Sequence, residues 1–226
     1  MKHPISVAID GPSGAGKSTV AKALAAQFQL IYVDTGAIYR TVGLAAQRAG
    51  VGSKDAPAVI ALLPGLSIDI AYDESGTQRM LLCGEDVSDA IRTPKSSIYA
   101  SDVSAIPEVR AYLMDMQRSM AARHSVVMDG RDIGTVVLPD ADVKVFLTAS
   151  AEERARRRWL ELKKRGTETP YDEVLRDIEY RDRQDSTRAA APLRAAEDAV
   201  CIDSSDLSFS EAVEAVARLV REKLGE

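Results

Sequence analysis

The 226-residue chain contains no asparagine and only two cysteines, and both shortages exclude classes of protein. A GTPase switch reads guanine through an Asn-Lys-x-Asp element, which a chain without asparagine does not contain. Cys83 and Cys201 lie too far apart for a CxxC pair or a zinc-binding spacing, so the sequence excludes a disulfide framework and suits a reducing compartment. We expect both cysteines to be buried as small apolar residues.

Long hydrophobic runs are also absent. The first apolar segment, residues 5–9, ends at Asp10 and is too short for a signal-peptide core or a membrane span. The net charge of −5 would repel nucleic acids and anionic membranes, so any bound anion must be held by local basic groups. We therefore expect a cytoplasmic protein with no nucleic-acid or membrane partner. Separately from these observations, we expect a monomer.

Short apolar segments alternate with helical patterns along the chain, beginning with a strand, a glycine-rich turn, a helix and a second strand. This order predicts an α/β fold whose ligand lies beyond the carboxyl ends of a parallel sheet. Apolar residues then alternate with other residues from Leu66 to Tyr72, which predicts an antiparallel β-hairpin that ends near residue 87. The predicted core strands are residues 5–9, 30–33, 125–128, 143–147 and 200–202.

Two Ser-x-x-Glu sequences, at Ser150 and Ser208, predict capping boxes at helix starts. Residues 88–123 have a mainly helical pattern that Pro94 and Pro107 interrupt. In the last helix, apolar residues recur at helical spacing and we expect them to face the core. They are Phe209, Val213, Val216, Val220 and Leu224.

Residues 11–18, GPSGAGKS, match the phosphate-binding pattern G-x-x-x-x-G-K-[ST] between a predicted strand and a predicted helix. In this motif backbone N–H groups surround the phosphates, Lys17 reaches the β- and γ-phosphates, and the Ser18 hydroxyl ligates Mg²⁺. Two other interpretations are a simple glycine-rich turn and a dinucleotide fingerprint, whose third glycine is missing. The motif predicts NTP binding by Gly11, Pro12, Ser13, Gly14, Ala15, Gly16, Lys17, Ser18 and Thr19.

Three further segments place arginines near the predicted cleft: DTGAIYR (34–40), DGRDIGTVV (129–137) and YRDRQDSTR (180–188). A charge run of the last kind is most often a solvated helix face. Here, however, Arg181, Asp185 and Arg188 continue the stripe that begins with Val174 and Ile178, at spacings of 3, 4 and 3 residues. We therefore expect this helix to leave the core and enter a polar cleft.

On these motifs, together with GEDVSDAIR, PDADVKVFL and the segment 101–110, the sequence resembles the bacterial cytidylate kinases over essentially its whole length. The resemblance implies a P-loop NTPase with a parallel five-stranded core sheet flanked by helices, a small antiparallel β insert that binds the monophosphate, and a short helical lid. It implies one domain over residues 1–226. Within it we expect the core at 1–50, 124–150 and 189–226, the insert at 51–123 and the lid at 151–188.

The same resemblance implies that ATP phosphorylates CMP and dCMP in the presence of Mg²⁺, without a covalent intermediate. Arg40, Arg131 and Arg181 would hold the acceptor phosphate. Asp185 would bind the ribose, and Asp129 would orient Mg²⁺ through water unless it is only a turn residue before Gly130. The catalytic set would be Lys17, Arg131, Arg181 and Arg188; Arg157 would bind ATP; and the substrate set would be Thr35, Arg40, Ser101, Arg110, Arg131, Asp132, Arg181 and Asp185, of which Ser101, Arg110 and Asp132 would read cytosine.

Several alternatives stay open at this point. A P-loop kinase for another small acceptor, such as a different nucleoside monophosphate or shikimate, has the same motif, and so does a binding module gated by a nucleotide. The helix that carries Arg154, Arg156, Arg157 and Arg158 is either a lid that closes over ATP or a solvated helix. His3 and His124 have no partners at ligand spacing, so we expect neither to act in the site.

Overall fold

The strands form two separate sheets in a computed structural model that describes residues 4–225, a range that leaves out His3. Five parallel strands make the central sheet, in the order β2-β6-β1-β7-β8, and three antiparallel strands make the second, in the order β3-β4-β5. The strands are β1 (Ser6–Asp10), β2 (Ile31–Asp34), β3 (Ile68–Tyr72), β4 (Gln78–Leu82), β5 (Glu85–Asp86), β6 (Val126–Gly130), β7 (Val143–Thr148) and β8 (Val200–Asp203). The predicted parallel five-stranded core is confirmed.

Eight α-helices flank these sheets in the described part of the chain. Pro94 and Pro107 each stand first in a helix, where their missing N–H is not needed, so they start helices rather than break one. A short 3₁₀ turn (Leu63–Gly65) and a π-helical turn (Ile133–Val137) complete the helical segments. The α-helices are α1 (Lys17–Phe28), α2 (Thr35–Arg48), α3 (Ala56–Leu62), α4 (Pro94–Val103), α5 (Pro107–Arg123), α6 (Ala151–Lys164), α7 (Tyr171–Thr187) and α8 (Phe209–Leu224).

Helices cover both faces of the central sheet, which explains why its strands read as apolar runs. Successive side chains of β1 point to opposite faces, so Val7 packs with α1 and α8, whereas Ala8 packs with Met128 on the other side. The insert sheet packs in a second cluster with α2 to α5, and α6 packs on α7 through Leu162 and Val174. The predicted hairpin is thus present, with a two-residue third strand added to it.

Both cysteines are exposed, so the prediction that they are buried is wrong. Cys83 lies in the turn between β4 and β5 with a φ of 50°, and Cys201 lies on β8, an edge strand of the central sheet. Neither position is covered by packed neighbours, because a tight turn and a sheet edge both face solvent.

The two ends of α8 also differ from expectation. The stripe of Ala212, Val216 and Val220 is buried, but Phe209 is 55% exposed and Leu224 is 39% exposed. Both residues lie at the ends of the helix and outside the cluster in which Ala212, Val216 and Val220 pack.

Of the two predicted capping boxes, the one at Ser208 is confirmed. At Ser150 the side chain accepts from the Glu153 backbone N–H, but the Glu153 carboxylate binds Arg156 and Arg157 instead of returning to the cap. The box prediction there is wrong, because two nearby guanidinium groups compete successfully for the carboxylate. Among residues 4–225 no helix combines the length and the apolar character that a membrane crossing requires.

Candidate active site

A cleft of about 700 Å³ opens beyond the carboxyl ends of β1, β2 and β6, where the sheet geometry predicts a ligand. Its walls come from the glycine-rich loop, from α2 and α4, and from the two helices α6 and α7. Many of the lining residues are charged. They include Lys17, Asp34, Arg40, Asp129, Arg131, Asp132, Arg157, Arg158, Arg181, Asp185 and Arg188.

The glycine-rich loop follows β1 and leads directly into α1. Gly11 has a φ of 146°, and a Cβ there would lie only 1.9 Å from the carbonyl oxygen of Leu147 on β7. Gly16, at φ 91°, precedes α1 and gives that helix no side-chain cap, so the first N–H groups of the helix have no side-chain partner at the cap. A helix N-terminus of this kind attracts anions through its N–H groups and its dipole.

Lys17 is buried beneath this loop, with its Nζ donating to the Pro12 carbonyl at 2.7 Å. Burial, reinforced by the charge of Arg131, lowers the pKa of Lys17 to about 7. A phosphate beside Nζ would favour the charged form again. The side chain is therefore held where an incoming anion would complete its surroundings.

Asp129, at the end of β6, accepts from the Ser18 hydroxyl and from the Tyr32 hydroxyl, both at 2.9 Å. Burial, together with the charge of Asp34, raises the pKa of Asp129 to about 6 even though Lys17 opposes the shift. A hydroxyl and a carboxylate are hard oxygen ligands of the type that suits Mg²⁺. Within residues 4–225 no three His, Cys, Asp or Glu side chains form a metal cluster, so such an ion would take most of its ligands from phosphates and water.

Two arginines of the cleft have part of their guanidinium group without a partner. The Nε–H groups of Arg40 and Arg181 are both buried and donate to no partner within residues 4–225. Arg40 is bound through its terminal nitrogen to Asp34 at 2.8 Å. Burial, reinforced by the neighbouring Arg131, lowers the pKa of Arg181 to about 10, so two positive charges lie close together here. An anion would offset these charges.

Asp185 connects three segments at this point. It accepts from the Ser101 hydroxyl at 3.0 Å and from the Arg131 Nε at 2.6 Å. Burial alone would raise the pKa of Asp185, but the charges of Arg131 and Arg181 outweigh burial and the pKa falls. The carboxylate is thus an ionised acceptor that holds α4 and the strand end of β6 to α7.

Asp132 lies between two buried arginines at the inner end of the cleft. It pairs with Arg110 on one side and with Arg188, at 3.4 Å, on the other. Arg188 also donates to the Ser104 hydroxyl at 2.8 Å. The guanidinium of Arg110 stacks over the Tyr39 ring at 5.7 Å. These groups form an inner polar pocket with donors and acceptors close together.

The four arginines of α6 have four different environments. Arg154 is buried and binds both the Ser13 carbonyl and Asp182, so it joins the glycine-rich loop to α7. Arg156 pairs outward with Glu153. Arg157 donates to the Ser204 carbonyl at 2.6 Å, and Arg158 lines the cleft while paired with Glu161. The helix is therefore not uniformly solvated, because Arg154, Arg157 and Arg158 face the loop and the cleft.

Residues 7–222 match the family model for cytidylate kinase. The chain belongs to the cytidylate kinase family. It is 49% identical over 221 residues to the cytidylate kinase of Caldicellulosiruptor saccharolyticus, with 98% of this chain and 97% of that protein covered. It is 52% identical over 222 residues to the cytidylate kinase of Geobacter sulfurreducens, with 98% and 95% covered.

The fold also resembles the crystal structure of an uncharacterized protein from Eubacterium ventriosum, with a TM-score of 0.54 and 14% identity over 98% of this chain and 99% of that chain. At this identity the likeness concerns the fold only. It agrees with the arrangement of the central sheet and its helices.

Most of the site residues expected for a cytidylate kinase line the cleft together. Gly11, Pro12, Ala15 and Arg110 do not line it, and all four are buried. Thr35 lines it with its hydroxyl bound to the Asp129 carbonyl at 2.8 Å. The residues that do line it are Ser13, Gly14, Gly16, Lys17, Ser18, Thr19, Thr35, Arg40, Ser101, Asp129, Arg131, Asp132, Arg157, Arg181, Asp185 and Arg188.

Sequence reasoning missed three polar residues that shape the cleft. Gln78, the first residue of β4, accepts from the Asp34 backbone N–H at 2.7 Å and so joins the insert to the end of β2. Asp10 accepts from the Ile133 and Gly134 N–H groups and fixes the turn after Asp132. Ser104 binds Arg188. The only available signal was for Asp10, a carboxylate at the end of a buried strand, because Gln78 and Ser104 lie in ordinary polar surroundings in the sequence.

Proposed function

We propose that this member of the cytidylate kinase family transfers the γ-phosphoryl group of ATP directly to CMP and dCMP, giving CDP and dCDP. The observation that carries the proposal is the single cleft in which the glycine-rich loop faces Arg40, Arg131 and Arg181. These arginines come from α2, the end of β6 and α7. Phosphoryl transfer needs the two phosphates held in line and their charge neutralised, which is what these groups are suited to do.

On the donor side the loop N–H groups would surround the ATP phosphates, and Lys17 would leave the Pro12 carbonyl to reach the β- and γ-phosphates. Arg157 would contact ATP from α6, close to Gly16, where it already lies. On the acceptor side the planar forks of Arg40, Arg131 and Arg181 would bind the CMP phosphate, with Nε atoms of two of them available. Arg188 is proposed to act with them from the inner end of the cleft.

The inner pocket suits cytosine. The cytosine edge presents an amino donor and two acceptors, which match the Asp132 carboxylate and the guanidinium donors around it, with Ser101 and Arg110 beside them. Uracil reverses two of these groups and would leave buried partners unmatched, at a cost of roughly 1–3 kcal/mol per group. Asp185 would accept from a ribose hydroxyl while it holds Arg131.

Ser18 and Asp129 are the residues that would hold Mg²⁺, Asp129 through water. When bound with ATP, Mg²⁺ would neutralise phosphate charge and fix the phosphate geometry. The protein's own part is to aim the Ser18 hydroxyl, which the bond to Asp129 already does. Thr35 would support the acceptor phosphate from the start of α2.

We propose one catalytic domain with core, insert and lid regions as divided above, acting as a cytoplasmic monomer on free nucleotides. Size-exclusion chromatography with light scattering checks the oligomeric state, and a dimer at micromolar concentration would contradict the monomer.

A coupled assay of ADP formation tests the function. It uses ATP, Mg²⁺ and, in turn, CMP, dCMP, UMP, AMP and shikimate. Turnover fastest with CMP or dCMP supports the proposal. Turnover only with another acceptor would replace it with a different small-molecule kinase, and ATP binding without acceptor-dependent ADP release would replace it with a nucleotide-gated module.

A further inference from the structure

The buried carboxylate of Asp102 lies next to the acceptor side of the cleft, although Asp102 itself does not line the cleft. Asp102 is 6% exposed, and each of its two oxygens accepts one hydroxyl hydrogen bond. Tyr180 donates to Oδ1 and Ser53 donates to Oδ2, both at 2.6 Å. The Lys54 ammonium lies 5.2 Å from the centre of the Tyr180 ring. We call these four residues, Ser53, Lys54, Asp102 and Tyr180, the Asp102 clamp.

The clamp is adjacent in the chain to residues of the acceptor site. Asp102 follows Ser101 on α4, and Tyr180 precedes Arg181 on α7. Ser101 itself binds Asp185 on the same helix α7. Two hydrogen bonds from neighbouring residues of α4 therefore reach α7 at positions 180 and 185. Together they fix both the rotation of α7 and its position along its own axis relative to α4.

Small movements of α7 would matter here. One residue of an α-helix corresponds to about 1.5 Å along the axis. A displacement of that size is enough to break a 2.6 Å bond and to move the neighbouring guanidinium of Arg181 out of reach of a phosphate. Ser53 adds a third segment, the loop between α2 and α3, and α2 carries Arg40. The clamp thus joins α4 and α7, which supply Ser101, Arg181 and Asp185, to the loop that follows α2.

Packing alone would not favour a carboxylate at this place. Burying an ionised group is costly unless it is fully hydrogen-bonded, whereas apolar residues of similar size hold helices together without that cost. A fully satisfied buried polar group does, however, select one arrangement out of several similar ones. The Asp102 carboxylate, with its two short hydroxyl bonds, has this character.

We infer that Asp102 and Tyr180 are positioning residues for the acceptor nucleotide: their hydrogen bond sets the register of α7 against α4 and so places Arg181 and Asp185. The inference rests on the proposed function, since it specifies which nucleotide site depends on the clamp. It assigns no contact between the clamp and either substrate. Its effect should therefore be confined to the acceptor side.

The substitution Tyr180→Phe tests it, because it removes only the hydroxyl and keeps the ring beneath Lys54. We expect the KM for CMP to rise roughly tenfold, the size of one lost hydrogen bond to a charged group, with the KM for ATP changed less than about twofold. The matched control is Tyr171→Phe on the same helix. The Tyr171 hydroxyl donates to the Glu152 carbonyl at 3.2 Å, and Tyr171 does not line the cleft. The control should leave both KM values unchanged.

A second variant distinguishes positioning from general destabilisation. Asp102→Asn keeps the shape but replaces one acceptor oxygen by a donor, so it should raise the KM for CMP and add little to the effect of Tyr180→Phe in the double variant. All kinetics are measured at least 15 °C below the unfolding midpoint of the least stable variant, so that nearly all molecules of each variant are folded. A selective rise for CMP with non-additivity supports the inference.

Three results would overturn it. The first is unchanged CMP kinetics in Tyr180→Phe, and the second is an equal rise of the KM values for ATP and CMP. The third is fully additive effects of Tyr180→Phe and Asp102→Asn. Failure of the proposed function is distinguishable from all three, because it would already appear as wild-type protein that does not turn over CMP, and the inference would then fall with it.

Discussion

The donor and acceptor sides of the cleft are built in different ways. The proposed donor side is one continuous stretch, residues 11–19, which offers a phosphate mainly backbone N–H groups and the start of α1. The acceptor side takes charged side chains from four separate segments. They are held together by ion pairs such as Arg131 with Asp185, which are 54 residues apart in the chain.

Because of this difference, the two sides are sensitive to different kinds of substitution. The donor side depends on backbone shape, so an added side-chain atom that displaces the loop should weaken ATP binding most. The acceptor side depends on compensated charge, so the removal of one partner leaves another buried charge unpaired. Substitutions on the two sides should therefore reduce stability or nucleotide affinity for different physical reasons.

We expect the largest effect from Asp132→Ala on the acceptor side. It leaves Arg110 and Arg188, both almost fully buried, without their shared carboxylate. The free energy of unfolding should fall by about 3–5 kcal/mol, as measured by urea denaturation. The control is Glu85→Ala, which breaks an exposed pair with Arg48 and should change stability little. Equal destabilisation by both substitutions would contradict the view that the acceptor side depends on buried charge compensation.

On the donor side we expect Gly11→Ala to act through shape. The new Cβ would lie 1.9 Å from the Leu147 carbonyl oxygen, at a φ that side chains rarely adopt, so the loop must move. ATP affinity should fall by roughly 100-fold, the upper end of the cost of overpacking, while CMP affinity stays within a few-fold. Calorimetric titration of each nucleotide separately measures both values.

Gly52→Ala is the matched control, since a Cβ at Gly52 meets nothing within 4 Å. It should leave both affinities unchanged. Should Gly11→Ala weaken CMP and ATP binding equally, the shape of the glycine-rich loop would not affect ATP binding separately from CMP binding.

The same difference explains what could be predicted from the sequence. The donor site was predictable because its residues are consecutive and carry a pattern, and the alternation of strands and helices indicated where the sheet would place it. The acceptor site was predictable only through the resemblance, apart from the stripe on α7. That stripe is confirmed as far as Asp185, which is buried, while Arg188 follows the last helical residue.

What could not be predicted is tertiary pairing. No local pattern shows that Gln78 of the insert would bind the backbone at Asp34, or that Arg154 would be buried against the glycine-rich loop while Arg156, two residues later, pairs outward. The contacts depend on which helix faces which, and the sequence states only that the residues are polar. The same reason made the exposure of Phe209 and the cysteines unpredictable, since exposure at a helix end or sheet edge is set by what lies beyond it.

A smaller effect is expected from Asp185→Ala, which separates the nucleotides by function rather than by fold. It removes the acceptor of the Ser101 and Arg131 bonds and the proposed ribose contact. The kcat/KM for CMP should fall roughly 10- to 100-fold, corresponding to one or two hydrogen bonds to a charged group, with ATP affinity little changed. Steady-state kinetics and ATP titration check this, and an equal loss for both nucleotides would remove Asp185 from the ribose site.

The smallest expected effect is proton uptake on nucleotide binding, which should differ between the donor and acceptor sides. In the free protein the pKa of Lys17 is lowered to about 7, so at pH 8 the Lys17 amine is neutral in most molecules. A bound phosphate favours the ammonium and raises the pKa towards its ordinary 10.5, so ATP binding without Mg²⁺ should take up close to one proton at pH 8 and much less at pH 6. The lowered pKa of Lys17 also affects stability. The free energy of unfolding of the free protein should rise as the pH increases from about 7 to 10.5, because in this range Lys17 stays protonated only in the unfolded chain.

Calorimetry at pH 8 in buffers of different ionisation enthalpy measures the uptake. CMP binding should show none, since the acceptor arginines stay charged at this pH; even Arg181, whose pKa is lowered to about 10, is ionised at pH 8. Lys17→Arg should abolish the uptake on ATP binding, because a guanidinium there remains charged. If the apparent enthalpy of ATP binding did not depend on the buffer, Lys17 would already be charged in the free loop, and the donor side would resemble the acceptor side in its electrostatics after all.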